Sequence, residues 1–158
     1  MYLLDTDTLT HLYFGNSNVV KQLKAIADVE VGITIITKVE VLRGRIDYLL
    51  KAETGANLLK AQELLFRTEN LLSQLLIVPI SQAASMEFDR LRTVSKYRKI
   101  GRADLLIASI TLANRATLVT RNKRHFQQIP GLRVENWVGI KSSRKLNKQT
   151  WRNFEVFS

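Results

Sequence analysis

The chain reads as an α/β domain, a mostly parallel sheet with helices on both faces. Three observations predict this. Short apolar and β-branched runs alternate along the chain with helix-length amphipathic stretches, the pattern of strand–helix–strand units. The 158 residues suit one domain with a full core, and neither an internal repeat nor a second domain interrupts them. Three acids far apart in sequence, Asp5, Glu40 and Asp104, also fall in equivalent places, where an apolar strand ends or a helix begins. In a parallel sheet those places share one edge, and ligands bind there.

Each element follows from local pattern. Residues 1–4 are an apolar strand, and 6–13 a short helix capped by Asp5 or Thr6. Gly15-Asn16-Ser17-Asn18 is a turn before a helix over 18–27, with Val19, Leu23, Ile26 and Ala27 on one face. Residues 30–36 alternate and are β-branched, which predicts a strand. A helix from about Lys38 to Leu50 and another over 56–72 form a hairpin with Gly55 between them. Leu75–Val78 is a short buried strand stopped by Pro79, and Ser81 caps a helix running to about Lys96. Asp104–Asn114, apolar nearly all round, predicts a central helix. Ala116–Thr120 and Leu132–Glu135 complete a set of five strands. The polar, basic stretch 138–158 has no clear period and is set apart from a domain over 1–137 as a tail, either disordered or an arm that binds RNA.

Composition excludes several chemistries. Cysteine is absent, so there are no disulfides, zinc-thiolate sites or thiol nucleophiles. No apolar run is long enough to cross a bilayer, and the chain opens on a strand rather than a signal peptide. Cytoplasmic location without a membrane partner is the expectation. Twenty-four Lys and Arg against fourteen Asp and Glu give a formal charge of +10. The excess clusters at Arg90, Arg92, Lys96, Arg98, Lys99 and Arg102, at Arg121, Lys123 and Arg124, and at Lys141, Arg144, Lys145, Lys148 and Arg152. One such cluster is ordinary surface; three around an acidic edge point to a polyanion such as nucleic acid.

Each acid has a plainer reading. Asp5 can be only an N-cap, Glu40 can close a capping box with Thr37, and Asp104 can merely favour a helix dipole. Together these readings weaken, because all three acids share one edge and Asp5 and Asp104 abut apolar segments where a lone carboxylate is costly. A converging set of carboxylates suits hard divalent cations, which serve phosphodiester hydrolysis.

The motifs then form a series. Tyr2-Leu3-Leu4-Asp5-Thr6-Asp7, Thr37-Lys38-Val39-Glu40-Val41-Leu42-Arg43-Gly44, Gly101-Arg102-Ala103-Asp104-Leu105-Leu106-Ile107-Ala108 and Leu118-Val119-Thr120-Arg121-Asn122, with Pro130–Trp137 after them, resemble the successive motifs of PIN-domain ribonucleases, most of all VapC-type toxins of toxin–antitoxin pairs. The resemblance covers about residues 1–137. It implies a three-layer α/β/α fold with a five-stranded parallel sheet and an endoribonuclease dependent on Mg²⁺ or Mn²⁺. It also implies an RNA substrate, a protein antitoxin, and a homodimer or a toxin–antitoxin hetero-oligomer. By position, Asp5, Glu40 and Asp104 match the family's three core acids, as catalytic and metal-binding residues. The family often adds a fourth acid near Thr120-Arg121-Asn122-Lys123-Arg124-His125-Phe126, where this chain has none. Asn122 can supply a neutral oxygen or hold a water, and His125 can replace an acid, although imidazole is a poor Mg²⁺ ligand. Glu40 or Asp104 would take a proton from water. Thr6 and Thr120 are auxiliary hydrogen-bonding candidates. Arg102, Lys123 and Arg124 are candidates for RNA phosphate, Arg102 being as well explained as a solvated side chain. His11 reads as helix surface and Trp137 as packing, while Trp151 stays open between packing and base stacking.

Two other readings compete. Asp5-Thr6-Asp7-Thr8 also resembles the opening of haloacid-dehalogenase-type phosphatases, with Asp5 as nucleophile, but Leu9 departs from that pattern and only Asp104 follows Gly101 where a later acid pair is wanted. A nucleic-acid-binding module without catalysis would suit the charge and the missing acid, but binding alone does not require three acids at strand ends.

Overall fold

The computed structural model describes residues 1–26 and 28–139. Five strands, β1 (Tyr2–Leu4), β2 (Val31–Thr34), β3 (Leu76–Val78), β4 (Thr117–Val119) and β5 (Arg133–Glu135), form one sheet in the order β3-β2-β1-β4-β5. Every pairing is parallel. The helices are α1 (Thr6–Tyr13), α2 (Ser17–Ala25), α3 (Ile35–Leu50), α4 (Gly55–Ser73), α5 (Gln82–Thr93), α6 (Arg102–Ala113) and α7 (Lys123–Phe126), with a 3₁₀ turn at Ser95–Lys99. No described helix is long and apolar enough to cross a membrane.

Local chemistry accounts for most boundaries. Asp5 caps α1 by accepting a hydrogen bond from the Thr8 amide at 2.7 Å. Gly15, at φ 70°, takes the left-handed turn that ends it. Asn16, Thr54 and Ser81 cap α2, α4 and α5 through their side chains. The core has layers on both faces of the sheet. Leu4, Ile33 and Val119 pack with Leu9, Val19, Leu72 and Trp137 on one side, and Leu118 packs with Leu91, Ile107, Ala108 and Phe126 on the other. Trp137 is buried against Tyr2, ring centroids 5.1 Å apart, as expected of a packing residue.

Several expectations are corrected. The second strand stops at Thr34, not residue 36, because the Thr34 side chain accepts from the Thr37 amide at 3.1 Å and starts α3 at Ile35. Two isoleucines that read as strand by β-branching therefore begin a helix. Glu40 consequently lies in the second turn of α3 rather than at its opening, and no capping box with Thr37 forms. Gly55 opens α4 instead of lying between two helices. The helix after Ser81 ends at Thr93 and continues as a 3₁₀ turn. β3 is an edge strand with Leu76 exposed, so it is less buried than its composition suggests. α7 has no counterpart in the expected element list. Apart from Val138 and Gly139, the basic tail 138–158, with its third charge cluster and Trp151, lies outside the described residues, as does Ala27.

Candidate active site

The strand order sets the location. From β1 the chain winds one way to β2 and β3, and returns on the other side to β4 and β5. The order therefore reverses between β1 and β4, and a crevice opens beyond the carboxyl ends of such strands. Leu4 pairs with Val119 across this boundary, and the Asp5 amide extends the ladder to the Val119 carbonyl at 3.0 Å. Asp5 and Thr120, the next residues on each strand, therefore sit side by side at the switch point.

Asp5 is the most perturbed group. Burial raises the pKa of its carboxyl above 3.8, and the charge of Asp7 adds to that effect. The Thr120 side chain and the backbone and side chain of Thr8 pull the other way. None of these influences is a positive charge, and among the described residues no basic side chain pairs with Asp5. Holding a charged carboxylate in such a setting is costly unless an opposite charge neutralises it.

Glu40 arrives from α3. Its Oε2 accepts a hydrogen bond from the Thr6 hydroxyl at 2.5 Å, tying the second turn of α3 to the first residue of α1. Asp104 arrives in the first turn of α6, whose N-cap Gly101 offers no side chain to the helix end. α6 packs against α3, β2 and β4, which holds Asp104 on the same side of the sheet edge.

The segment after β4 completes the arrangement. The Asn122 amide donates to Thr120 Oγ1 at 2.9 Å. Asn122 Nδ2 lies 2.7 Å from His125 Nδ1, and that nitrogen lies 3.6 Å from Asp104 Oδ2. A chain of contacts thus runs from Asp5 through Thr120, the backbone and side chain of Asn122, and His125 to Asp104. Sequence reasoning named these residues singly; the His125–Asp104 approach had no sequence signal, because α7 is too short to show a period.

The basic residues divide. Arg90 and Arg92 form exposed ion pairs with Glu87 and Asp89 on their own helix. Arg121 lies 3.5 Å from Asp7 and 3.1 Å from His11, so His11 is a surface residue engaged with the loop after β4. Arg102 stacks its guanidinium over the Phe88 ring at 5.0 Å. Arg98, Lys99, Arg102 and Arg124 are exposed and Lys123 is half-buried, and among the described residues none of these has a carboxylate in ion-pair range.

Among the described residues no group of three or more His, Asp or Glu side chains is placed so that it could hold a metal ion. The donor set nonetheless fits a hard divalent cation. It consists of carboxylate and amide oxygens, and Mg²⁺ is ordinarily held by one or two carboxylates with waters filling its octahedron.

Comparisons with known proteins bear on the family and the fold. A profile of the PIN domain family matches residues 2–132. Ribonuclease VapC2 of Rickettsia felis is 44% identical over 68 residues, 42% of this chain and 51% of that protein, so the match spans about half the relative's length. The structure of VapBC2 from Rickettsia felis bound to a DNA fragment from their promoter is similar with a TM-score of 0.66 at 28% identity, covering 86% of this chain and 98% of that one. A toxin–antitoxin complex from Klebsiella pneumoniae is similar with a TM-score of 0.63 at 29% identity, covering 86% and 97%.

Proposed function

The chain belongs to the PIN domain family, and from that premise we propose that it is an endoribonuclease toxin that hydrolyses RNA phosphodiester bonds with a divalent cation, Mg²⁺ or Mn²⁺, and is inhibited by a protein antitoxin. The observation that carries this reading is Asp5 at the switch point, half-buried without a counter-charge, with Glu40 tied to the neighbouring Thr6 and Asp104 beside His125. Family membership leaves no place for the haloacid-dehalogenase reading. The partner follows from the relatives, which include a toxin–antitoxin complex. The protein acts in the cytoplasm, as a homodimer or within a hetero-oligomer with its antitoxin.

Asp5 and Asp104 would hold the cation with help from Glu40, and the Asn122 amide oxygen can hold a water. When bound, the cation supplies a lowered water pKa and neutralises charge on the scissile phosphate. Glu40 gives one oxygen to the Thr6 hydroxyl, which leaves Oε1 to take a proton from the attacking water. Thr120, fully buried, braces Asp5. Arg102, pre-oriented over Phe88, grips a phosphate oxygen through its free edge. Lys123 and Arg124 attract the backbone phosphates on either side.

The decisive test is cleavage of a mixed RNA pool with Mg²⁺ or Mn²⁺. Wild-type protein should cleave, EDTA should stop it, and Asp5→Asn and Asp104→Asn should be inactive while keeping the wild-type circular dichroism. Equal cleavage by both variants, unaffected by EDTA, would refute the reading. RNA binding without cleavage under any divalent cation would instead support a binding module.

A further inference from the structure

We propose that the 3₁₀ turn Ser95–Lys99 is a second RNA contact, apart from the acids, that holds the backbone of a long single strand; this rests on the ribonuclease reading above. Two features of the basic stretch 90–102 carry the argument. The first is how its charges are paired. Arg90 and Arg92 lie on α5 and meet Glu87 at 2.7 Å and Asp89 at 3.8 Å, each three residues back on the same helix. Such pairs are ordinary helix surface, neutralised where they stand. Lys96, Arg98 and Lys99 lie on the turn and are all exposed. Among the described residues none of the three has a carboxylate in ion-pair range. Three like charges within four residues repel one another, and Arg102 follows closely behind them. A surface built only for solubility intersperses acids, as α5 does.

The second feature is anchorage. Tyr97, between the charges, is buried, and its hydroxyl donates to the Gln128 carbonyl at 3.1 Å. Tyr97 and Ile100 share a core cluster with Leu105 of α6 and Phe126 of α7. The turn is therefore fastened to the loop after α7, and it leads through Gly101 into the start of α6, where Asp104 lies. α7 reaches the same acid through His125, so the turn and the Lys123–Arg124 pair both adjoin the start of α6. Charges on a fixed turn meet a ligand with less ordering cost than charges on a loose arm. The turn's aromatic ring is buried, so it stacks on no base, and the exposed groups are cations alone. Such a surface recognises phosphates and not sequence. Its contribution is to affinity for RNA that extends beyond the scissile bond, not to the chemical step.

The test changes Lys96, Arg98 and Lys99 together to Gln. A charge-matched control changes Lys21, Lys51 and Lys60, exposed on α2, at the end of α3 and on α4. Binding to mixed-sequence RNA is measured against salt on an Asp5→Asn background. The strands are about 20 and about 4 nucleotides long, beyond and at the lower end of the roughly 4–16 that a small single-strand-binding domain covers. The turn variant should flatten the log-affinity versus log-salt slope for the long strand by up to about two, at roughly 0.7 per lost phosphate contact. The slope for the short strand should not change. In otherwise wild-type protein the same variant should raise KM for long RNA and leave kcat alone. The control should behave as wild type, and so should Lys96→Arg, Arg98→Lys and Lys99→Arg combined, which keep the charges. An unchanged long-strand slope, or equal flattening by the control, would overturn the proposal. Unchanged RNA binding with loss of an acidic protein partner would assign the turn to that partner instead. Turn-dependent binding of RNA that is never cleaved would support the contact and sink the ribonuclease reading. Cleavage with a turn-independent slope would sink this proposal alone.

Discussion

Thr6→Val tests the most specific contact in the site. Valine replaces the hydroxyl with a methyl group of similar size, so it leaves no cavity and keeps the β-branch. It removes only the bond from Thr6 Oγ1 to Glu40 Oε2, which is 2.5 Å long and joins residues 34 apart in sequence. Hydrogen bonds to charged groups contribute about 1.5–3 kcal/mol. Both residues are half-buried, so water partly replaces the lost donor and the lower end applies, about 1.5 kcal/mol. For a domain of this size that corresponds to a melting point lower by roughly 3–6 °C. The catalytic effect should be larger in relative terms. A positioned general base contributes about 10²–10⁴-fold, and freeing Glu40 from its tether should forfeit part of that, a kcat loss of about 10–100-fold. The assay pairs thermal denaturation with RNA cleavage at saturating divalent cation, and Thr6→Ser serves as the rescue because it retains the oxygen. If Thr6→Val melts and cleaves like wild type, or Thr6→Ser is as impaired as Thr6→Val, the tether has no functional role.

Three further outcomes are expected. In metal-free buffer Asp5→Asn should be more stable than wild type at neutral pH. Burial raises the folded-state pKa above 3.8, so the wild-type fold loses stability as pH rises through that folded value, and the advantage of the variant should vanish on acidification below 3.8; a variant less stable at neutral pH would contradict this. Gly32→Ala should destabilise by about 1–3 kcal/mol in urea titration, because its Cβ would lie 2.4 Å from the Leu76 carbonyl oxygen on the neighbouring strand; wild-type stability would mean that β3 yields freely. On an Asp5→Asn background, Lys123→Ala with Arg124→Ala should flatten the log-affinity versus log-salt slope for RNA by up to about one per lost phosphate contact. The flattening should be alike for unrelated sequences, and an unchanged slope would return both residues to ordinary surface.

Much of this arrangement is readable from the chain. Strand-length apolar runs, helical periods and the caps at Asp5 and Ser81 are local features, set by neighbours within a turn or two, and they appear where their chemistry places them. One misread stretch is Ile35-Ile36, where β-branching argued for strand and the Thr34 cap prevailed. The same local ambiguity misplaced Glu40 within its helix and hid the reason for its position, since the partner of its carboxylate is Thr6 and not Thr37.

The amino-acid sequence alone therefore establishes the succession of elements, the excess of positive charge, and the acids at strand ends and helix starts, because these depend on short-range steric and hydrogen-bonding preferences. The tertiary fold decides that β4 inserts beside β1, that Asp5 is half-buried without a counter-charge, and that His125 comes to lie 3.6 Å from Asp104. Those facts follow from how the apolar faces of distant helices pack on the sheet. No local pattern encodes the distance between two side chains brought together only by that packing.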